Sequence, residues 1–163
     1  MGRIDAAAER MALFLSDLLG YTVVRDGQPV PQPVDVGELV DEVLRGWATA
    51  AVDPPPKVSI QAETPVHADP SLMRRLLDNL VGNALKYTRP GEPAQVMVST
   101  VPDGDGVILR IDDRGVGVPA GQEERIFDEF HRAPQHAQEY PGTGLGLAIS
   151  RKLAHLMGGE IGM

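Results

Sequence analysis

The feature that most constrains this chain is a pair of short strand patterns joined by a turn. The segments AQVMVSTV (94–101) and GVILRIDD (106–113) both have the pattern of strands, and the PDGDG between them is a hairpin signal. A third segment, KVSIQAE (57–63), alternates Val58 and Ile60 with polar neighbours, as a half-buried strand does. The chain is therefore expected to build a sheet that contains at least one antiparallel pair.

Helical patterns precede and separate these strands. Asp35 offers an N-cap, and Glu38 completes a capping box for a helix that runs to about Ala51. A second helix is expected from Asp69-Pro70 to about residue 87. Near the N-terminus, residues 4–24 also have a helical pattern, with apolar residues in a seam typical of a helical bundle: Ile4, Ala8, Met11, Leu15 and Leu18. Spacing alone leaves open whether this helix packs on its own domain or in a bundle.

The end of the chain supplies a last helix, expected from about Thr143 to the C-cap signal Gly158-Gly159, and EIGM (160–163) begins like another strand. The order is helix, strand, helix, strand, strand, helix, strand. Paired strands among helices predict an α/β fold, a two-layer sandwich with a mixed β-sheet and helices on one face, preceded by the N-terminal helix.

Composition excludes several classes of protein. Hydrophobic residues make up 42% of the 163 residues, which is enough for a core, and the net charge of −8 argues against nucleic-acid or anionic-membrane binding. The absence of cysteine excludes disulfides and thiolate metal sites. No apolar run reaches membrane-spanning length, so we expect a soluble cytoplasmic protein without direct membrane contact.

A polar stripe marks the second helix. At about 100° per residue, Asn79, Asn83, Lys86 and Tyr87 fall within an arc of about 80–100°. The adjoining arc is the predicted core and comprises Met73, Leu76, Leu77, Leu80, Val81 and Ala84. Amide oxygens suit Mg²⁺, a lysine binds phosphate and a tyrosine offers a flat face to a base. Taken alone, the stripe is better explained as a solvated helix flank.

Two glycine-rich segments add to this stripe. DDRGVGVP (112–119) follows a strand with a carboxylate and permissive backbone positions, although an ordinary Asp/Gly turn has the same pattern. GTGLGL (142–147) opens a helix, and the free N–H groups of a helix N-terminus form an anion site. It lacks the third glycine of a Rossmann fingerprint, and no Walker A loop occurs. Helical spacing also predicts that Leu145 belongs to the core.

The segment RIFDEFHRA (125–133) is the last of these motifs. Phe127 and Phe130 lie in a polar, Gly/Pro-flanked stretch, and we expect both rings to pin this stretch to the core. Arg132 follows closely and could reach a terminal phosphate.

Together, in this order, the motifs resemble the ATP-binding catalytic domain of sensor histidine kinases, in the Bergerat-fold (GHKL) superfamily. NLVGNALKYT (79–88) looks like the asparagine box, DDRGVGVP and GTGLGLAIS like the two glycine boxes, and IFDEFHRA like the phenylalanine box. The resemblance implies three regions: a remnant of the second dimerisation-bundle helix (1–24), a linker (25–34) and an ATP-binding domain (35–163) that lacks its last strands.

The resemblance also implies a role for each polar residue of the stripe. Asn83 would coordinate Mg²⁺ with Asn79 assisting, Lys86 would contact phosphate, and Tyr87 would face the adenine. Asp113 would accept a hydrogen bond from the adenine amine.

The glycine boxes would complete an ATP site. Gly115 and Gly117 would shape the base pocket, and Ala120–Pro141 would form a mobile lid that carries Arg132. The second glycine box would bind the phosphates and hinge the lid through Gly142, Thr143, Gly144, Leu145 and Gly146. Asn79, Lys86 and Arg132 would serve the transfer itself.

The implied activity is that of a protein-histidine kinase using Mg²⁺ and ATP. None of the four histidines is followed by Asp or Glu, so the phosphoacceptor is expected on a dimerisation domain supplied in cis or trans, and this chain alone is expected to be inactive. Further partners would be a response regulator receiver domain and, in the full-length parent, a second copy. Two alternatives stay open: a non-enzymatic nucleotide-binding or dimerising module, and an ATP-hydrolysing GHKL ATPase.

Overall fold

The computed structural model describes residues 28–47, 54–134, 139–140 and 142–163. The helix predicted for residues 4–24 lies outside the described residues. Clustering of backbone contacts gives two compact units, one formed by Pro29–Gly117 and one that includes Val118–Met163.

The unit Pro29–Gly117 contains five strands and two helices among its described residues. In chain order these are β1 (Gln32–Val34), α1 (Val36–Trp47), β2 (Lys57–Gln61), β3 (Val66–Ala68), α2 (Pro70–Lys86), β4 (Gln95–Asp103) and β5 (Gly106–Asp113). The strands β2, β4 and β5 form a sheet in that spatial order.

This three-stranded sheet confirms the mixed α/β fold. Strand β2 runs parallel to β4, and β4 runs antiparallel to β5 through the expected hairpin. The alternation of side chains leaves Val96 and Val98 buried on one face, whereas Met97 and Val101 are exposed on the other. Helix α2 contacts β4 and β5, so the apolar faces of the sheet and of this helix share one core.

Helix α1 begins where the capping residue predicts. The backbone N–H of Glu38 donates to Oδ1 of Asp35 over 3.0 Å, which satisfies one of the free donors of the first turn. Val36, Val40 and Val43 are its buried residues. Its last described residue is Trp47, and the predicted end at Ala51 lies outside the described residues.

Strand β1 is a feature that the sequence pattern missed. Gln32–Val34 lies in the predicted linker but pairs antiparallel with Val66–Ala68. Pro33 has no N–H to donate, which restricts it to a short two-stranded sheet of this kind. The prolines of this segment led to the prediction of a linker, whereas the strand that pairs with β1 lies more than 30 residues away in the chain.

Helix α2 carries the polar stripe and is fixed at its start by Asp69. Oδ1 of Asp69 accepts hydrogen bonds from the N–H groups of Ser71 (2.9 Å) and Leu72 (3.1 Å), and Oδ2 accepts one from Val30 (3.0 Å). The core prediction holds for five of its six residues, since Leu80 is only half-buried. Gly82 is buried instead, although no pattern singled it out.

In the unit that includes Val118–Met163, a 3₁₀ turn (Arg125–Phe127) precedes helix α3 (Gly146–Leu156). Helix α3 starts later than the expected Thr143, because Gly144 has a φ of 77° that is incompatible with a helix. The expected strand at residues 160–163 is wrong, since these residues form no regular element. None of the described helices is long and apolar enough to cross a membrane.

Replacing Asp69 tests the cap of α2. Asp69→Ala removes acceptors for three N–H groups, so the free energy of unfolding should fall by about 1–2 kcal/mol in urea titrations at neutral pH. Asp69→Asn is the matched control, because an amide oxygen still caps but carries no charge.

The same pair of variants gives a pH test. The hydrogen bond from Val30, then those from Leu72 and Ser71, lower the pKa of Asp69 against an opposing effect of burial. A carboxyl group whose pKa is lowered by folding stabilises the folded state at pH values above the ordinary Asp pKa of about 3.9. This stabilisation is lost as the pH falls through the pKa that the group has in the folded state. The stability gap between the parent and Asp69→Asn should therefore narrow between pH 7 and pH 3. A constant gap would contradict this assignment.

Candidate functional site

The four residues of the polar stripe lie together on the last turns of α2. Asn79, Asn83 and Lys86 are half-buried beside the core, and Tyr87 follows as the C-cap residue, with its N–H donating to the carbonyl of Asn83 over 2.9 Å. The ammonium group of Lys86 lies 4.9 Å from the centroid of the Tyr87 ring. The stripe is thus a partly covered surface rather than a fully solvated flank.

The turn after β5 is built around Gly115. The N–H of Gly115 donates to Oδ1 of Asp113 over 2.7 Å. A Cβ atom on Gly115 would lie 2.3 Å from the Tyr87 carbonyl oxygen and 2.6 Å from Oδ1 of Asp113, so no side chain fits. At Gly117 space is open, and glycine is favoured there by a φ of 74°.

This turn is joined directly to the end of α2. The N–H of Val116 donates to the Tyr87 carbonyl over 2.9 Å, and Thr88 forms an antiparallel bridge with Gly115. Arg89 adds a hydrogen bond of 3.3 Å from its Nε to the Gly115 carbonyl. We call this set of contacts between residues 87–89 and residues 113–116 the Tyr87–Gly115 junction. It joins the C-terminal end of the polar stripe to the turn that carries Asp113.

The donors and acceptors at the junction fit a purine and a hydrated cation. Asp113 is exposed, and its Oδ2 makes no hydrogen bond to any other described residue, so it can accept one from an exocyclic amine. The Asn83 side chain likewise makes no hydrogen bond within the described part of the chain. Its amide oxygen suits Mg²⁺, which takes few protein ligands and completes its shell with water and phosphate oxygens.

The second glycine box lies in the unit that includes Val118–Met163. A Cβ atom on Gly144 would lie 2.8 Å from the carbonyl carbon of Phe130 and 2.9 Å from the carbonyl oxygen of His131. The hydroxyl of Thr143 accepts a hydrogen bond from the N–H of Leu145 over 3.2 Å. Leu145 is buried, as its helical spacing predicts.

The start of α3 has the character of an anion site. Gly146 is the first residue of this helix, and no side chain caps it. The first N–H groups of the helix point toward its N-terminus, where the helix dipole favours a negative charge. Gly142 and Gly144 are half-buried just ahead of these groups.

The two phenylalanines of residues 125–133 have different environments, and only Phe127 is buried as expected. Phe127 is 5% exposed and pins the 3₁₀ turn, as predicted, whereas the prediction for Phe130 is wrong because this residue is 60% exposed. Phe130 has a φ of 61°, a left-handed conformation that brings its backbone against Gly144 and leaves the ring outside the core. Sequence patterns give no signal for such a backbone angle in a bulky residue.

Contacts to α3 also hold this segment. Arg151 stacks 4.4 Å from the centroid of the Phe127 ring and pairs with Glu124 over 3.1 Å. Lys152 pairs with Glu129 over 2.6 Å. These cations were not predicted, since spacing marks them only as the solvent face of a helix.

Arg132 makes a different contact from the predicted one. Its guanidinium donates a hydrogen bond to the carbonyl of Tyr140, which also lies in the predicted lid. The predicted contact to a phosphate stays a prediction. Arg89, by contrast, is a site residue that sequence reasoning missed, because only the fold brings it to the Gly115 carbonyl.

Comparisons with known proteins agree with this geometry. Residues 68–163 match the sequence profile of the family described as histidine kinase-, DNA gyrase B-, and HSP90-like ATPase. The sensor histidine kinase AruS of Pseudomonas aeruginosa is 32% identical over 98% of this chain. The chain spans only 17% of the length of AruS.

Solved structures give the same result. The mycobacterial sensor histidine kinase MprB superposes with a TM-score of 0.65 at 30% identity, over 79% of this chain and 81% of that one. The ATP binding domain of PrrB from Mycobacterium tuberculosis has a TM-score of 0.59 at 31% identity, over 82% and 85%. The chain therefore belongs to the family of histidine kinase-, DNA gyrase B- and HSP90-like ATPases, and corresponds to the C-terminal catalytic domain of a sensor histidine kinase.

Proposed function

We propose that this domain binds Mg-ATP and is the catalytic part of a two-component sensor histidine kinase. In the reaction, the bond between the γ-phosphorus and the bridging oxygen breaks, a bond to a nitrogen of the acceptor histidine forms, and ADP leaves. The acceptor histidine belongs to a dimerisation domain, in cis or trans, and the phosphoryl group passes on to a response regulator. The observation that supports this proposal most is the Tyr87–Gly115 junction.

Residues of the junction and of the polar stripe have defined tasks in this proposal. Asp113 accepts a hydrogen bond from the adenine amine through Oδ2, while Gly115, which has no side chain, lets the Tyr87 backbone close against this turn. Tyr87 offers a ring face, and Lys86 moves from that ring to a phosphate oxygen when ATP binds. Magnesium, when bound, neutralises phosphate charge, and Asn83 would hold it with Asn79 assisting.

The resemblance assigns phosphate roles to residues of the unit that includes Val118–Met163. The N–H groups at the start of α3 and the Gly142–Gly146 loop bind the phosphate chain, and Arg132 exchanges the Tyr140 carbonyl for a phosphate oxygen. Because an arginine donor is always charged, this exchange replaces a neutral acceptor with an anionic one and is favourable.

Hydrolysis as the physiological role is disfavoured at Asn79. Hydrolysing members of the superfamily carry a glutamate there as general base, and a neutral amide cannot take a proton from water. The neighbouring carboxylate, Asp78, lies about 100° away around the helix. Desolvation raises the pKa of Asp78, and the charges of Arg74 and Arg75 oppose this shift.

Calorimetry with Mg²⁺ and a non-hydrolysable ATP analogue tests the roles proposed for the side chains of Asp113 and Asn83. Asp113→Asn should weaken binding by roughly 10-fold or more, because a charge-assisted hydrogen bond is lost. Asp112→Asn is the matched control: it removes the same charge one residue earlier, on the opposite side of β5. Equal affinities for both variants and the parent would contradict the role of Asp113.

Asn83→Ala should lower the affinity roughly 10-fold with Mg²⁺ and much less in EDTA. Since only the metal-dependent part of binding should change, the two conditions act as each other's control. A loss of equal size in both conditions would show that Asn83 supports the fold rather than the metal.

Gly115→Ala tests the junction itself. The added methyl group would overlap the Tyr87 carbonyl, so the free energy of unfolding should fall by about 1–3 kcal/mol and nucleotide affinity should fall with it. Gly106→Ala, where a Cβ atom makes an ordinary contact of 3.5 Å, should change neither quantity by much. If Gly115→Ala and Gly106→Ala change the free energy of unfolding and the nucleotide affinity by the same amounts, the junction does not require glycine at position 115.

Phosphotransfer itself needs the missing acceptor. The domain is mixed with a histidine-bearing dimerisation domain and ATP labelled at the γ-phosphate. Label that appears on histidine and is lost with Asn83→Ala supports the kinase reaction. Free phosphate without labelled protein would favour hydrolysis, and tight binding with neither product would favour a non-enzymatic nucleotide-binding module.

A further inference from the structure

Gly82 is an unexpected residue inside α2. Glycine in a helix interior costs about 0.5–1 kcal/mol relative to alanine, and no positive φ requires it here. A Cβ atom on Gly82 would lie 2.7 Å from Cζ2 of Trp47. The indole ring therefore occupies the space that a side chain at position 82 would need.

Trp47 gives α2 a second point of attachment to α1. The first is the ion pair between Arg74 of α2 and Glu42 of α1. Trp47, the last residue of α1, contacts α2 at Gly82, which is eight residues and about 12 Å further along the helix axis. These two contacts hold α2 against α1 at separated points along its length, in addition to the core that α2 shares with β4 and β5.

The Trp47 contact lies beside the polar stripe, between Asn79 and Asn83 along the helix axis. Gly82 follows Asn79 by three residues and precedes Asn83, so it lies about 60° and 100° around the helix from them. A rotation of α2 by about 20° would move a side-chain oxygen some 5–6 Å from the axis by about 2 Å. Such a displacement is as large as the distance from Mg²⁺ to a ligand oxygen.

We propose that Trp47 is a positioning residue for the asparagines of α2, and that Gly82 is a glycine because it must admit the indole. Trp47 itself touches neither metal nor nucleotide in this proposal. It determines where the amide oxygens of Asn79 and Asn83 lie. This inference rests on the proposed binding of Mg-ATP.

The direct test replaces Gly82 by alanine. Gly82→Ala should lower the affinity for the ATP analogue roughly 10-fold in Mg²⁺ and much less in EDTA, because the fold persists and only the metal ligands move. Gly46→Ala is the matched control: it is also a helical glycine, and a Cβ atom there meets nothing within 4 Å. The double variant Gly82→Ala/Trp47→Leu should bind no more weakly than Trp47→Leu alone, since leucine leaves room for the methyl group.

Fluorescence supplies a readout that does not require nucleotide. Trp47 is the only tryptophan of the chain, so its emission reports this contact alone. Gly82→Ala should shift the emission to longer wavelength as the ring moves into water, while Gly46→Ala should not.

The outcomes separate this inference from the proposed function. If the parent does not bind the analogue, the proposed function fails. If the parent binds and Gly82→Ala binds equally well in Mg²⁺, or loses the same factor in EDTA, the positioning role is wrong. Should Gly82→Ala fail to fold, Trp47→Leu alone decides: it should weaken binding in Mg²⁺ selectively, and unchanged binding would overturn the proposal.

Discussion

The carbonyl oxygen of Tyr87 is the acceptor on which the candidate site depends. It takes the N–H of Val116 at the point where Gly115 has no side chain, so two segments nearly 30 residues apart meet backbone to backbone. The helix thereby ends against the turn that carries Asp113. The roles proposed for Tyr87 and Asp113 depend on this contact, because main-chain bonds bring residue 87 to the turn that carries the Asp113 carboxylate.

Local patterns predicted the parts of this arrangement that local chemistry controls. Asp35 and Asp69 cap α1 and α2 through their own side chains, and both caps can be inferred from the residues beside them. The hairpin between β4 and β5 follows from the turn residues between two alternating runs. The polar stripe was predictable because helical periodicity separates Asn79 and Asn83 from the core.

What the sequence did not predict depends on contacts across the fold. Strand β1 forms because Val66–Ala68 provides a pairing partner. Its own proline-rich segment has no pattern that predicts a strand. The reason for a glycine at position 82 is seen only in the fold, which places the indole of Trp47 beside it. The start of α3 was placed too early because helical periodicity continues through Leu145, while the backbone angle of Gly144 forbids a helix. Periodicity describes side chains, and these errors arise from the backbone and from distant partners.

The left-handed backbone of Phe130 has a consequence for how its surroundings can move. Sparsely populated backbone conformations of this kind cost on the order of 1–3 kcal/mol and persist only where neighbouring contacts impose them. Here the neighbour is Gly144, whose missing side chain leaves room for the Phe130 backbone. A return of Phe130 to an ordinary φ releases that energy but also vacates the place beside Gly144. The segment after the 3₁₀ turn and the loop before α3 therefore meet backbone to backbone, and a side chain at position 144 would be incompatible with the conformation of Phe130.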